Sequence, residues 1–219
     1  MYDINLHSHS LASDGALLPS ELCVRYLAAG YKTIAITDHV DYSNIKSSIK
    51  SILEFTEQWP RKIGINVLPG VELTHLPLEQ FKPLAQLARK SGIKIIVAHG
   101  ETIVEPVIQG SNRAALDADI DILAHPGLIS DNDVKLAKEK GIFLEITSRA
   151  GHRDTNTHVA EKALKIQAKL ILNNDSHSPE DIIKPQDLEG VAKAAGLSKE
   201  QISLIYEEVK RFIEKKEGK

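Results

Sequence analysis

Residues 92–99 read GIKIIVAH: a glycine, a bulky apolar residue, a lysine, an apolar run and a histidine. The same beat returns at 30–37 (GYKTIAIT) and at 141–147 (GIFLEIT). Each glycine stands where a helix must stop and the chain reverse, the position just past a helix end that glycine takes most easily. A helix-length segment precedes each one. Ahead of Gly141 it is SDNDVKLAKEK, in which Ser130 can cap the helix and Asp133 completes a capping box.

Working outward, apolar runs recur at residues 4–6, 33–37, 65–68, 93–98, 120–124, 142–146 and 170–172. They are continuous rather than alternating, as in strands buried on both faces of a parallel sheet. Helix-length segments lie between and after them, at 19–29, 45–58, 79–91, 111–118, 130–140, 157–168 and 198–215. A strand–helix alternation of this kind predicts an α/β protein with a closed barrel as its architecture. Residues 1–219 are read as one domain, because no linker or low-complexity segment divides them. The charge-rich 198–215 segment is expected to cover one end of the barrel.

Composition narrows the function classes. Apolar residues make up 42% and charged residues 26%, ordinary values for a globular protein. The single cysteine, Cys23, excludes an internal disulfide and a cysteine-based metal site. No run has the length of a membrane span or the form of a signal peptide, so a cytoplasmic protein without membrane contact is expected. A net charge of −3 argues against binding extended nucleic acid. Three bound divalent ions would turn it to about +3, focused in one place. The composition leaves the oligomeric state open.

The histidines fall in register with the strands. His7 and His9 follow the first (HSHS), His39 the second (TDH), Glu72 the third (PGVE) and His99 the fourth (AHG). His125 follows the fifth (AHPG), and Asp175 and His177 follow the seventh (NDSH). In an α/β barrel those strand ends form one rim, where active sites are built. His7 with His9, and Asp175 with His177, are spaced to share one face of an extended segment. Imidazole nitrogen together with carboxylate oxygen suits Zn²⁺, Mn²⁺ or Fe²⁺, and this many ligands predicts two or three ions.

The motifs HSHSLASDG, TDH, GVE, AHG, AHP and NDSH, taken in order, resemble those of the PHP (polymerase and histidinol phosphatase) family. The resemblance implies a distorted seven-stranded TIM-like (β/α) barrel and a trinuclear metal site. It implies a first ion on His7, His9, Glu72 and Asp175. A second would take Glu72 as a bridge with His99 and His125, and a third would take Asp14, His39 and His177. Asp14 stands where some relatives carry histidine. The activity implied, in a histidinol-phosphatase-like protein, is hydrolysis of a small phosphate monoester by a hydroxide shared between ions. A phosphodiesterase or small nuclease could use the same site. An amidohydrolase or a non-catalytic metal-binding module are more distant readings, since amidohydrolases generally lack the third position and inactive modules lose ligands.

Substrate contacts are expected from the loop after the sixth strand, EITSRAGHRD, which supplies no histidine from the strand itself. Arg149 is better placed than Arg153 for a phosphoryl group, and resembles phosphate-binding arginines of relatives in position. His75 and His152 are candidates to line the pocket or to protonate the leaving oxygen, and His158 is read as structural. Glu145 either orients a ligand histidine or is a hydrogen-bonded structural carboxylate. Glu101 and Glu105 lie in the long 99–113 segment, where they could meet polar groups of a substrate or form an acidic surface.

Overall fold

The apolar runs form strands that lie parallel throughout a computed structural model describing residues 2–218. Strands β1 (Ile4–Asn5) and β2 (Thr33–Ile36) are followed by the short β3 (His39–Val40), which takes up the line of β2 after a two-residue break. Then come β4 (Asn66–Leu73), β5 (Ile95–His99), β6 (Ile122–Ala124), β7 (Phe143–Thr147) and β8 (Leu170–Asn173). Neighbours run β1-β2-β4-β5-β6-β7-β8, with β3 beside β4. This is a nearly closed TIM-like barrel of seven strand positions, as the sequence predicts.

The seam between β1 and β8 closes through side chains. Leu6 N donates to Asn173 Oδ1 (2.7 Å), and Asn174 N donates to Asn5 Oδ1 (2.6 Å). Beyond these the backbones meet: Asp175 N donates to His7 O and His9 N to Ser176 O. Asn5 and Asn173 are fully buried, their side-chain oxygens each standing in for a peptide carbonyl of the missing ladder.

Strand β4 runs further than the 65–68 run predicts. Pro69 and Gly70 read as a strand end, yet the strand continues to Leu73 and carries Glu72 inside it. A Cβ on Gly70 would lie 2.6 Å from Thr37 Cγ2 and 2.9 Å from Ile36 O, so only glycine lets β2 pass this closely. His39 is the register partner of Glu72 across β3–β4.

Helices α1 (Pro19–Ala29), α2 (Ile45–Gln58), α3 (Phe81–Lys90), α4 (Ser111–Leu116), α5 (Asp131–Lys140) and α6 (Asn156–Ile166) fall in the expected segments. Ser130 caps α5 through Asp133 N, and Gly30, Gly92 and Gly141 all have positive φ. Helix α7 (Pro185–Ala194) lies in a segment for which the sequence predicts none. Gly190 in its interior weakens the helical signal by about 1 kcal/mol, and burial of Leu188 and Ala192 restores the helix.

Helix α8 (Lys199–Glu217) closes the end of the barrel where the strands begin. Ile202, Ile205, Val209 and Ile213 are buried, each worth about 1.5–3 kcal/mol. Tyr206 Oη donates to Asp3 Oδ1, and Lys216 Nζ reaches Asp121 Oδ1 at 2.5 Å. No helix among the described residues is long and apolar enough to cross a membrane.

Candidate metal centre

At the opposite end, where the strands finish, the barrel floor is ionisable. His7, His9 and Glu72 are fully buried, and Asp175 is nearly so. Glu145, inside β7, accepts from His7 Nδ1 (2.8 Å), Asn173 Nδ2 (2.9 Å) and His125 N (3.1 Å). Its contact with His7 decides between the two readings of Glu145: it orients a histidine of the candidate site. With Nδ1 held by Glu145, His7 turns Nε2 toward Glu72 Oε2 (3.3 Å) and Asp175 Oδ1 (3.6 Å). His9 Nε2 lies 3.5 and 3.3 Å from the same two oxygens.

These separations are long for hydrogen bonds. His7 Nε2, both nitrogens of His9, Glu72 Oε1, His125 Nδ1 and Asp175 Oδ1 are buried and make none, while Glu72 Oε2 lies 2.8 Å from His39 Nδ1. Orphaned donors and acceptors at this density are costly unless something positive lies among them. Ligands about 2.0–2.1 Å from a tetrahedral zinc stand about 3.3–3.5 Å from one another, the spacing found here. The donor set therefore fits a divalent ion.

Two further groups adjoin this floor. Glu72, His99 and His125 present ligand atoms within 4.8 Å of one another. On the other side, His39 Nε2 lies 3.5 Å from Asp14 Oδ1 and 3.4 Å from His177 Nε2, and His177 Nε2 lies 3.4 Å from Asp14 Oδ2. The ring of His9 stacks on both His39 and His177 at 4.1 Å. Asp14 is on an exposed turn, which Asp38 pulls inward by accepting from Ser10 N, Ser10 Oγ and Ser13 Oγ. Gly15 permits the fold-back, since a Cβ there would stand 2.4 Å from His9 O. All nine residues expected to hold metal thus meet on one rim. Asp38 was missed as a support residue, although it adjoins His39 in TDH.

The charges are mutually shifted. Burial alone would lower the pKa of His7, but Glu145, Asp175 and Glu72 outweigh it and hold it well above the ordinary value. Burial and neighbouring imidazoles push His9 and His125 well down. Burial opposes a rise at His39, yet Glu72 and Asp14 bring it up to about 8. Glu72 is held well below the carboxylate range by His39 and His7 despite its burial, whereas burial raises Asp175. His75, His125 and Asp175 also adopt positive φ (51°, 29° and 53°), backbone strain gathered at one site.

A cavity of about 480 Å³ opens above, lined among others by His75, His152, Arg149 and Glu105. Arg149 Nη1 donates to Asp181 Oδ2 (2.8 Å), and that oxygen also accepts from His177 N and Ser178 N. Asp181, which the sequence did not single out, so ties the arginine to a rim histidine. Arg153 is exposed and is not among the cavity-lining residues. His158 Nε2 donates to Ile129 O, in keeping with a structural role. Glu101 accepts from Gly110 N and Asn112 N and serves the loop rather than the cavity. Glu105 faces His99, His75 and His152.

Comparison with known proteins places this arrangement among relatives. The family model of the PHP domain matches residues 5–154. An uncharacterized protein of Methanocaldococcus jannaschii is 41% identical over 203 residues, covering 90% of this chain and 92% of that one. A protein of Clostridium botulinum (strain Langeland) named a probable phosphatase is 26% identical, over 92% and 89% of the two chains. The crystal structure of a histidinol phosphate phosphatase from Lactococcus lactis, complexed with zinc, L-histidinol and phosphate, has a TM-score of 0.64. It is 16% identical, covers 90% of this chain and 95% of its own, and so shares the fold.

Proposed function

Since the chain belongs to the PHP-domain family and is a metal-dependent phosphoesterase, we propose that it hydrolyses a small phosphate monoester at a trinuclear site. One observation carries this reading: nine histidines and carboxylates converge beneath a cavity of about 480 Å³ whose wall holds an arginine braced by Asp181. His7, His9, Glu72 and Asp175 would hold the first ion, Glu72, His99 and His125 the second, and Asp14, His39 and His177 the third. Divalent ions in these positions supply Lewis acidity, ionising water near neutral pH and neutralising phosphoryl charge.

The protein's own groups do the rest. Arg149, braced by Asp181, binds non-bridging oxygens of the phosphoryl group and orients it in the cavity. Glu145 keeps the His7 lone pair turned to the floor. His75 and His152 line the cavity and are the candidates to give a proton to the departing oxygen. The cavity suits a metabolite, and the Lactococcus neighbour holds L-histidinol and phosphate in its own crystal. Histidinol phosphate is therefore the first natural substrate to try.

The test compares initial rates on p-nitrophenyl phosphate and bis(p-nitrophenyl) phosphate with protein loaded with Mn²⁺ or Zn²⁺. Faster turnover of the monoester, lost with chelator and in His9→Ala, is the expected result. A preference for the diester overturns the monoester assignment in favour of a phosphodiesterase.

A further inference from the structure

Glu105 meets three imidazoles from three separate rim segments. His99 Nε2, at the end of β5, is 3.0 Å from Oε2, and His75 Nε2, just beyond β4, is 3.5 Å from the same oxygen. His152 Nε2, from the short helix after β7, is 3.4 Å from Oε1. None of these contacts except that of His99 has hydrogen-bond length.

The far sides of two rings explain what faces the carboxylate. His99 Nδ1 donates to Gly100 O at 3.0 Å, so Nε2 is the nitrogen left to face Glu105. His152 Nδ1 lies 2.7 Å from Thr102 Oγ1, a hydroxyl able to accept in the same way. One carboxylate faced by three imidazole nitrogens from separate segments is a donor set that a divalent cation can share. The separations of 3.4 and 3.5 Å match the edges of a zinc tetrahedron, about 3.3–3.5 Å, as do those on the floor below. His75, His99 and Glu105 present ligand atoms within 4.8 Å of one another. The ring of His152 is braced by stacking on His125 at 4.2 Å.

We propose that His75, His99, Glu105 and His152 form an additional rim site for a divalent cation of the zinc class. It is distinct from the three ion positions above and shares His99 with one of them. His99 has one free nitrogen, so the rim and the Glu72–His125 position compete for it. The rim group needs neither Glu72 nor His125. Its existence can therefore be tested with the inner position disabled, and its failure is separable from failure of the trinuclear reading.

The experiment uses the full chain, stripped of metal, in a Glu72→Gln/His125→Ala background that frees His99 for the rim. Bound Zn²⁺ is counted by elemental analysis after equilibrium dialysis, and Co²⁺ is followed by its tetrahedral visible absorption. Adding Glu105→Gln and His75→Ala should remove one equivalent of metal and one tetrahedral Co²⁺ signal. An unchanged count and spectrum overturn the proposal and leave Glu105 as an ordinary hydrogen-bond partner of imidazoles. Circular dichroism checks folding, and Glu72→Gln alone serves as background if the double variant does not fold. A metal count unaffected by the background substitutions themselves would instead count against the inner second position.

Discussion

The two ends of the barrel handle buried charge in opposite ways. Where the strands begin, Asp121 is satisfied on every side: Arg89 Nη2 and Ile96 N donate to one oxygen at 2.8 Å, and Lys216 reaches the other. Where they finish, Glu72 Oε1 and Asp175 Oδ1 are buried without a hydrogen bond. The carboxylates at both ends are buried, so the difference lies in what completes them. The closed end is completed by the chain itself. The open end is left for ions, and it is the end over which the cavity lies. Satisfied charge marks stability here, and unsatisfied charge marks chemistry.

Substitutions can break that contrast. Glu72→Gln should cost the most, lowering kcat/KM on a phosphate monoester by on the order of a thousandfold and reducing bound metal, while apo-protein folding persists. Steady-state rates with elemental analysis check it. Asp121→Ala should do the reverse. It strands Ile96 N and two cations, so stability in urea should fall by about 2–3 kcal/mol with kcat/KM unchanged. A large kinetic loss in Asp121→Ala would erase the distinction between the ends.

Smaller effects sharpen it. Glu145→Gln should weaken metal affinity by about 10–100-fold, because His7 loses the partner that holds its tautomer. Titration with a competing chelator reads this. Arg149→Ala should raise KM at intact metal content, and Asp181→Asn should act in the same direction but less. Unchanged kinetics would remove Arg149 from the site.

The pH dependence should be the mildest effect. In metal-free protein His39 sits at about 8, above the ordinary 6.5, so its stabilising contribution is complete below 6.5 and fades as pH rises through 8. Metal binding must displace that proton and strengthens over the same window. The gain in melting temperature on adding Zn²⁺ should therefore widen from pH 6.5 to 8.5. A gain that narrows would contradict the placement of His39 beside Glu72 and Asp14.

Much of this could be read from the sequence, because strand-end histidines and helix-end glycines are local signals. The beat at Gly92 located β5 and His99, and HSHS located the floor. Features that depend on distant neighbours were hidden. Pro69 and Gly70 look like a strand end until β2 presses against them. Gly190 masked α7, whose burial against the barrel overrides propensity. Glu105 looked like one acid of a surface loop until His75 and His152, from other loops, closed around it.

The asparagine seam has a consequence for the order of folding. Its hydrogen bonds join residues separated by 167 positions, among the longest-range contacts in the fold. Loop-closure entropy opposes such contacts until the intervening strands have assembled. His7 and His9 lie on one side of the seam and Asp175 and His177 on the other, so the ionisable floor comes together only when the seam closes. The part of the barrel that carries the unsatisfied charge is thus among the last to form.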